Sequence, residues 1–249
     1  VVHRILIVTA VAAEADSVSA GLGVSGLDGP EHLPLPGGFA LRRHTGGSVR
    51  ADVLVGGVGP AAVAAATGTA LASASLKDAD GGYDLVVSAG IAGGFPPVAP
   101  LGTVVVSGAV VAADLGAETP DGYLTVEELG FGRSSHPVAE ALTGRIAAAL
   151  AAGGLAHTVG PVLTVSTVTG TAGRAAALAE RHPGAAAEAM EGFGVAEAAA
   201  AYGVPVVEVR AVSNAVGPRD RAAWRIGEAL DALRRAFALL SRTDLVEPS

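Results

Sequence analysis

The chain has 249 residues, half of them apolar and 16% charged, with a formal net charge of −8. That length suits one large α/β domain, 1–249, with material for a sizeable core, and the acidic balance excludes broad nucleic-acid binding, which needs a basic surface to neutralise phosphates. Cysteine is absent, which removes disulfides and thiolate metal sites, and the six histidines are scattered without ligand spacing, so no metal is expected.

The apolar run at the N-terminus, Val1–Val8, is too short for a secretory signal. No stretch approaches about 20 apolar residues without a glycine or proline break, so no membrane span is expected and a cytoplasmic location is. Along the chain, β-branched runs predict strands at Arg4–Thr9, Ala51–Val55, Asp84–Ala89, Gly102–Val111, Thr158–Val165 and Val206–Val212. Between them, alanine-rich stretches predict helices at Ala13–Gly21, Ala61–Leu76, Pro137–Ala152, Ala172–Arg181, Glu191–Tyr202 and Arg221–Leu240. Ser25–Gly38, with three prolines and several glycines, reads as a loop, and so does Arg133–Pro137. Runs such as Leu85-Val86-Val87 suit strands buried on both faces. The alternation predicts a three-layer α/β/α sandwich around a central mixed, mostly parallel sheet.

Two predicted strands run into glycine-rich turns, Gly56-Gly57-Val58-Gly59-Pro60 and Ser88-Ala89-Gly90-Ile91-Ala92-Gly93-Gly94. Glycines at the carboxyl ends of sheet strands let a ligand approach the backbone, or simply allow a tight turn. The first turn also spells Gly57-x-Gly59-x-x-Ala62, a permissive dinucleotide pattern. Its acidic partner is missing: the next strand ends in Val87-Ser88-Ala89, and Asp78 falls in the connection before it.

The C-terminal third carries the most specific pattern. Ala189-Met190-Glu191-Gly192-Phe193-Gly194-Val195-Ala196 is followed by Val204-Pro205-Val206-Val207-Glu208-Val209-Arg210-Ala211-Val212-Ser213-Asn214. Together with Thr9-Ala10-Val11-Ala12-Ala13-Glu14, the two glycine segments and Val165-Ser166-Thr167, this order and spacing resemble the nucleoside phosphorylase superfamily. Within it the pattern is similar to the methylthioadenosine/adenosylhomocysteine nucleosidases. The run Ser213–Arg221, followed by Trp224, resembles the futalosine hydrolase branch, whose 6-oxopurine substrate carries a carboxylated aromatic group.

The resemblance implies roles that the chemistry of each residue allows. Glu14 would activate water as a general base, although an acid at a helix start is also ordinary. Glu191, acceptor-only when ionised, would grip the ribose hydroxyls, while Met190 would lie beneath the sugar or merely fill a core gap. Gly93 and Thr171 fall on the segments that would border the substrate. Phosphorolytic members place a cation and a hydroxyl where this chain has Ser88 and Ile91, so water is the expected nucleophile. Gly170 replaces the usual stacking aromatic, leaving Phe193 as a candidate base contact or a core residue. Asn214 replaces the acid that protonates the purine, and its amide would match the leaving hypoxanthine, with Asp220 the nearest nameable proton source. Arg174 and Arg219 are candidates for a substrate carboxylate, with solvated surface positions as the alternative for both.

The expected partner is therefore a small-molecule purine nucleoside, with no organic cofactor, and the chain is expected to form a homo-oligomer. Rival readings are a methylthioadenosine/adenosylhomocysteine nucleosidase, a purine nucleoside phosphorylase and a nucleoside-binding module without catalysis.

Overall fold

The computed structural model describes residues 3–77 and 82–245. In chain order the strands are β1 (His3–Thr9), β2 (Asp28–Pro34), β3 (Ala40–Gly46), β4 (Val49–Val55), β5 (Leu85–Gly94), β6 (Val104–Ala112), β7 (Gly116–Thr119), β8 (Gly122–Thr125), β9 (Ser135–Pro137), β10 (His157–Thr164), β11 (Ala187–Ala189) and β12 (Val206–Ala215). The helices are α1 (Ala12–Val24), α2 (Pro60–Lys77), α3 (Glu140–Ala152), α4 (Ala172–Arg181), α5 (Gly192–Ala201) and α6 (Ile226–Leu240). β7 and β8 form a separate hairpin, and the other ten strands share one mixed sheet in the order β11-β10-β6-β12-β5-β1-β4-β3-β2, with β9 on β6.

Alternation along the strands explains the layers. In β1, Ile5 and Ile7 join the apolar cluster that includes Val18 and Leu22 of α1 and Leu233 and Phe237 of α6, whereas Leu6 and Val8 join Val63 and Leu71 of α2 and Val195 and Ala199 of α5. Full burial of each such aliphatic side chain contributes roughly 1.5–3 kcal/mol, so a strand apolar on both faces settles between two helix layers. The α6 sequence fits the outer position: its buried Ala229, Ala232, Leu233, Ala236, Phe237 and Leu240 recur at helical spacing. α5 needs no such stripe, because its Ala- and Gly-rich sequence is buried nearly all round.

The predicted α/β/α sandwich with a mixed sheet is thus observed, and four local readings change. Ser25–Gly38 is not wholly a loop, since it contains β2, an edge strand paired with β3. Pro30 and Pro34 are tolerated there because an edge strand leaves half its N–H groups unpaired anyway. Ser135–Pro137 pairs with β6, so α3 begins at Glu140 rather than Pro137. The last predicted helix is broken: Arg221–Ala223 is a single 3-10 turn, and α6 begins at Ile226. The second glycine segment, read as a turn, is the end of β5, which stays paired with β12 up to Gly94. Asp78 lies outside the described residues.

β5 also changes neighbours along its length. Its first half, Leu85–Ser88, pairs with β1, and its end, Gly93–Gly94, pairs with β11. Where β1 leaves the sheet to enter α1, the edge of β5 opens. Open α/β sheets bind ligands at such divergences beyond the carboxyl ends of strands.

Candidate active site

A cleft of about 290 Å³ opens at this divergence, lined among others by Glu14, Gly93, Glu188, Met190, Glu191 and Asn214. Its size falls near the lower end of small-molecule pockets.

Glu14 sits in the first turn of α1 and is buried. Its Oε2 accepts from the backbone N–H of Ala10 (3.0 Å) and Val11 (3.3 Å), and its Oε1 accepts from Ile91 N–H (2.8 Å). Two unsatisfied donors of the helix start thus hold one oxygen, while the end of β5 holds the other. The carboxylate is fixed in direction before any substrate arrives.

Glu191 stands at the N-cap of α5 and is also buried. It accepts from Gly59 N–H (3.3 Å) and from Met190 N–H (3.3 Å). Gly59 has a φ of 93°, a left-handed conformation that glycine adopts without strain. The Gly57-Val58-Gly59 turn is therefore occupied by a protein carboxylate and not arranged as a phosphate cradle.

Between the two glutamates lies Arg210 of β12, 1% exposed. Its Nε donates to Glu208 Oε1 (2.7 Å), and its Nη2 donates to Ser88 Oγ (3.1 Å) and lies 3.2 Å from Glu191 Oε2. Although burial opposes its charge, the carboxylates of Glu208, Glu191 and Glu14 hold the guanidinium above its ordinary pKa. Burial pushes the Glu208 carboxyl up, against the pull of Arg210. Nη1 of Arg210 is buried without a hydrogen-bond partner among the described residues. A Cβ on Gly90 would collide with Glu14 Oε1 and would lie 2.6 Å from that Nη1. The absence of a side chain at Gly90 is therefore what lets the Glu14 carboxylate and the Arg210 guanidinium pack against β5 at this point.

The opposite wall is built on strand register. Glu188 of β11 and Asn214 of β12 are each in register with Gly93 of β5, one on either side. The β12 register slips between Val212 and Asn214, a bulge that re-aims Asn214. Asn214 is partly exposed; its Oδ1 lies 2.9 Å from Ser213 Oγ and its Nδ2 donates to Ala215 O (3.1 Å).

Six of the residues singled out from sequence come together at the cleft: Glu14, Gly93, Met190, Glu191, Asn214 and Arg219. Four do not line it. Phe193 is buried in the core with its ring 5.3 Å from that of His136, so it is not the stacking partner of a base. Thr171 caps α4, accepting from Arg174 N–H (3.2 Å), and Arg174 itself is exposed. Asp220 is exposed and caps the 3-10 turn through Ala222 N–H (3.1 Å), which leaves it badly placed to protonate a base. The cleft has its own aromatic, Trp224, with Arg219 5.4 Å and Arg221 5.7 Å from the ring centre. Arg210, Glu208 and Glu188 were missed as site residues. Their signal was available: each is a charge inside an otherwise apolar strand run, where burial forces it to find a partner.

The fold and the order of these residues agree with known proteins. Residues 4–243 match the family model described as the phosphorylase superfamily. A futalosine hydrolase of Streptomyces coelicolor is 57% identical over 238 residues, covering 96% of this chain and 95% of that one. A futalosine hydrolase of Acidothermus cellulolyticus is 51% identical over 94% of this chain and 89% of its own. Among solved structures, the native futalosine hydrolase of Helicobacter pylori superposes with a TM-score of 0.78 at 17% identity, covering 96% of this chain and 97% of that one. At that identity the likeness concerns the fold. With the family pattern running from β1 beyond α6, this chain belongs to the phosphorylase superfamily, in the branch that holds those two futalosine hydrolases.

Proposed function

We propose that this protein is a nucleosidase that hydrolyses the N-glycosidic bond of futalosine, a 6-oxopurine nucleoside, releasing hypoxanthine and the free sugar end of the substrate. One observation carries the reading: the buried carboxylate of Glu14, held in direction by three backbone N–H groups, lines the same cleft as the Glu191 carboxylate and the Asn214 amide. The high identity to two futalosine hydrolases supports the choice of substrate.

In this reading water in the cleft donates to Glu14. Glu191 accepts from the ribose hydroxyls, and Met190 packs against the sugar. As the bond from the sugar anomeric carbon to the purine N9 breaks, its electron pair leaves with the base and the sugar takes on oxocarbenium character, as in glycoside hydrolysis. The water oxygen bonds to that carbon and its proton passes to Glu14. The leaving base takes a proton at N7 from a solvent water in the open cleft, and the Asn214 amide accepts from that N7–H while donating to O6. Gly93 leaves room for the flat ring, and Arg219 and Trp224 at the mouth suit an aromatic carboxylate, with Arg174 and Thr171 as outer candidates.

Phosphate is not the expected co-substrate. The Ser88 hydroxyl meets Arg210, Ile91 N–H already donates to Glu14, and the cation between them is neutralised by its own carboxylates. Base release in phosphate-free buffer, with free sugar as product, is the expected result. A strict phosphate requirement with a sugar phosphate product would overturn the reading. No helix among the described residues is long and apolar enough to cross a membrane. A cytoplasmic homo-oligomer is the accompanying expectation, tested by fractionation and light scattering.

A further inference from the structure

β12 carries an acid that the steps above leave without a task. Glu208 is completely buried in the middle of an otherwise apolar stretch of strand, with Arg210 as its only charged companion there. A buried ion pair adds little to stability once the desolvation of both charges is counted, so stability alone does not explain it.

Strand geometry sets what Glu208 meets. It is two residues from Arg210 and shares its face of the sheet, and the pair stands opposite Ser88 and Gly90 in the register of β5. From the helix layer, the start of α5 closes over the carboxyl: a Cβ on Gly192 would overlap Glu208 Oε2. The charged groups around Glu208 are therefore Arg210 on its own strand and Glu191 at the start of α5, with Glu14 of α1 on the far side of the guanidinium, against Gly90.

Three carboxylates share this one guanidinium, and they share it unequally. Glu208 takes Nε at 2.7 Å, the length of a charge-assisted bond, while Glu191 Oε2 lies 3.2 Å from Nη2. Glu14 takes nothing. Its oxygens are held by the N–H groups of Ala10, Val11 and Ile91, and Nη1, which meets the same Gly90 as Glu14 Oε1, has no hydrogen-bond partner among the described residues. With Nε on Glu208 and Nη2 on Ser88, the guanidinium cannot turn toward Glu14 without breaking its shortest bond.

We infer that Glu208 is a positioning residue: as the principal counter-ion of Arg210 it ties the guanidinium down, so that Glu14 keeps its capacity to take a proton from water. This rests on the nucleosidase reading above. Without the charge of Glu208, Arg210 is a buried cation with two carboxylates left to pair with, and both belong to the site. Pairing with Glu14 would occupy lone pairs that water needs and would make that carboxylate a weaker base.

Two substitutions at position 208 test this by steady-state kinetics across pH. Glu208→Gln keeps the size and an oxygen for Nε–H and removes only the charge. Its turnover should fall about tenfold, and the acidic limb of kcat/KM, which reports the essential base of the free enzyme, should move about one unit to lower pH. The sign follows from charge: with one negative charge fewer and Arg210 less neutralised, the remaining carboxylates lose their protons more readily. Glu208→Val removes the acceptor as well, and its turnover should fall about 10–100-fold, the effect of losing a hydrogen bond to a charged group. A fall in turnover with the acidic limb unmoved in Glu208→Gln would mean that Glu208 only fills space beneath α5, and would overturn the inference. Native turnover in Glu208→Gln overturns it as well. If the valine variant fails to fold, the isosteric glutamine variant decides alone. The two readings fail separately: intact protein that releases hypoxanthine, beside a glutamine variant indistinguishable from it, refutes the role of Glu208 and spares the hydrolase.

Discussion

In the nucleosidase reading proposed above, the sugar side and the base side of the cleft are built on different physical plans. On the sugar side, charges converge from three elements, with Glu14 from α1, Glu191 at the start of α5, and Arg210 and Glu208 from β12, beside the Ser88 hydroxyl of β5. Nearly every donor and acceptor there is already used, and low polarity makes the remaining unpaired atoms costly. On the base side, the groups stand on a single row across three strands, and most of their hydrogen bonds are to near neighbours in the chain or to Thr169. The first plan suits chemistry, which needs groups held in place as charge develops. The second suits selection, because changing one side chain on a row alters which base edge fits without disturbing the charged cluster.

Breaking the sugar side should have the largest effect. Glu14→Gln keeps the size and can still accept from Ile91 N–H, but it cannot take a proton from water. Turnover should fall by about 10²–10⁴-fold with a much smaller change in KM. Steady-state kinetics on protein with an unchanged circular dichroism spectrum checks this, and near-normal turnover would place water activation elsewhere.

Asn214→Asp probes the base side. An ionised aspartate accepts well from a 6-amino group and repels O6, so the variant should shift toward adenine nucleosides. The unaltered protein should prefer hypoxanthine nucleosides, and losing one matched buried pair amounts to about 1–3 kcal/mol of that preference. Competition between inosine-type and adenosine-type substrates measures both. A native preference for the 6-amino base would contradict the assignment.

The smallest expected effect lies at the mouth, outside both plans. Replacing Arg174 and Arg219 together by alanine should raise KM several-fold for the carboxylated substrate and spare its decarboxylated analogue, since exposed ion pairs contribute about 0.2–1 kcal/mol each. Equal changes with both substrates would count against a carboxylate contact there.

Much of this architecture was legible from pattern alone. Apolar strands alternating with Ala-rich helices yield the three layers, because period-two and helical spacing each bury a definite face. The elements that escaped have a common cause. β3 carries Arg42, Arg43 and His44 and reads as polar, yet Arg43 lies opposite Asp52 in the register of β4 and binds it through two hydrogen bonds of 2.8 Å. β2 hides behind prolines that an edge position tolerates. The Ser88–Gly94 segment reads as a turn until β12 and β11 are found on either side of it. In each case the strand is recognisable only from what it pairs with.

Sequence by itself determined the sandwich and the family pattern, and it singled out Glu14, Glu191 and Asn214 as candidates that the fold brings to one cleft, because local spacing and ordered motifs survive without coordinates. It could not decide which charges meet. Glu188 and Asn214 stand 26 positions apart, and Glu14 and Ile91 stand 77 apart. Their juxtaposition depends on β5 exchanging β1 for β11 as its neighbour along its length. Nor could sequence tell that the Phe193 ring turns into the core while Trp224, beyond the bulge in β12, comes to the cleft. Strand pairing is a long-range choice, made by the total burial and hydrogen bonding of the whole sheet, and no short window of sequence contains it.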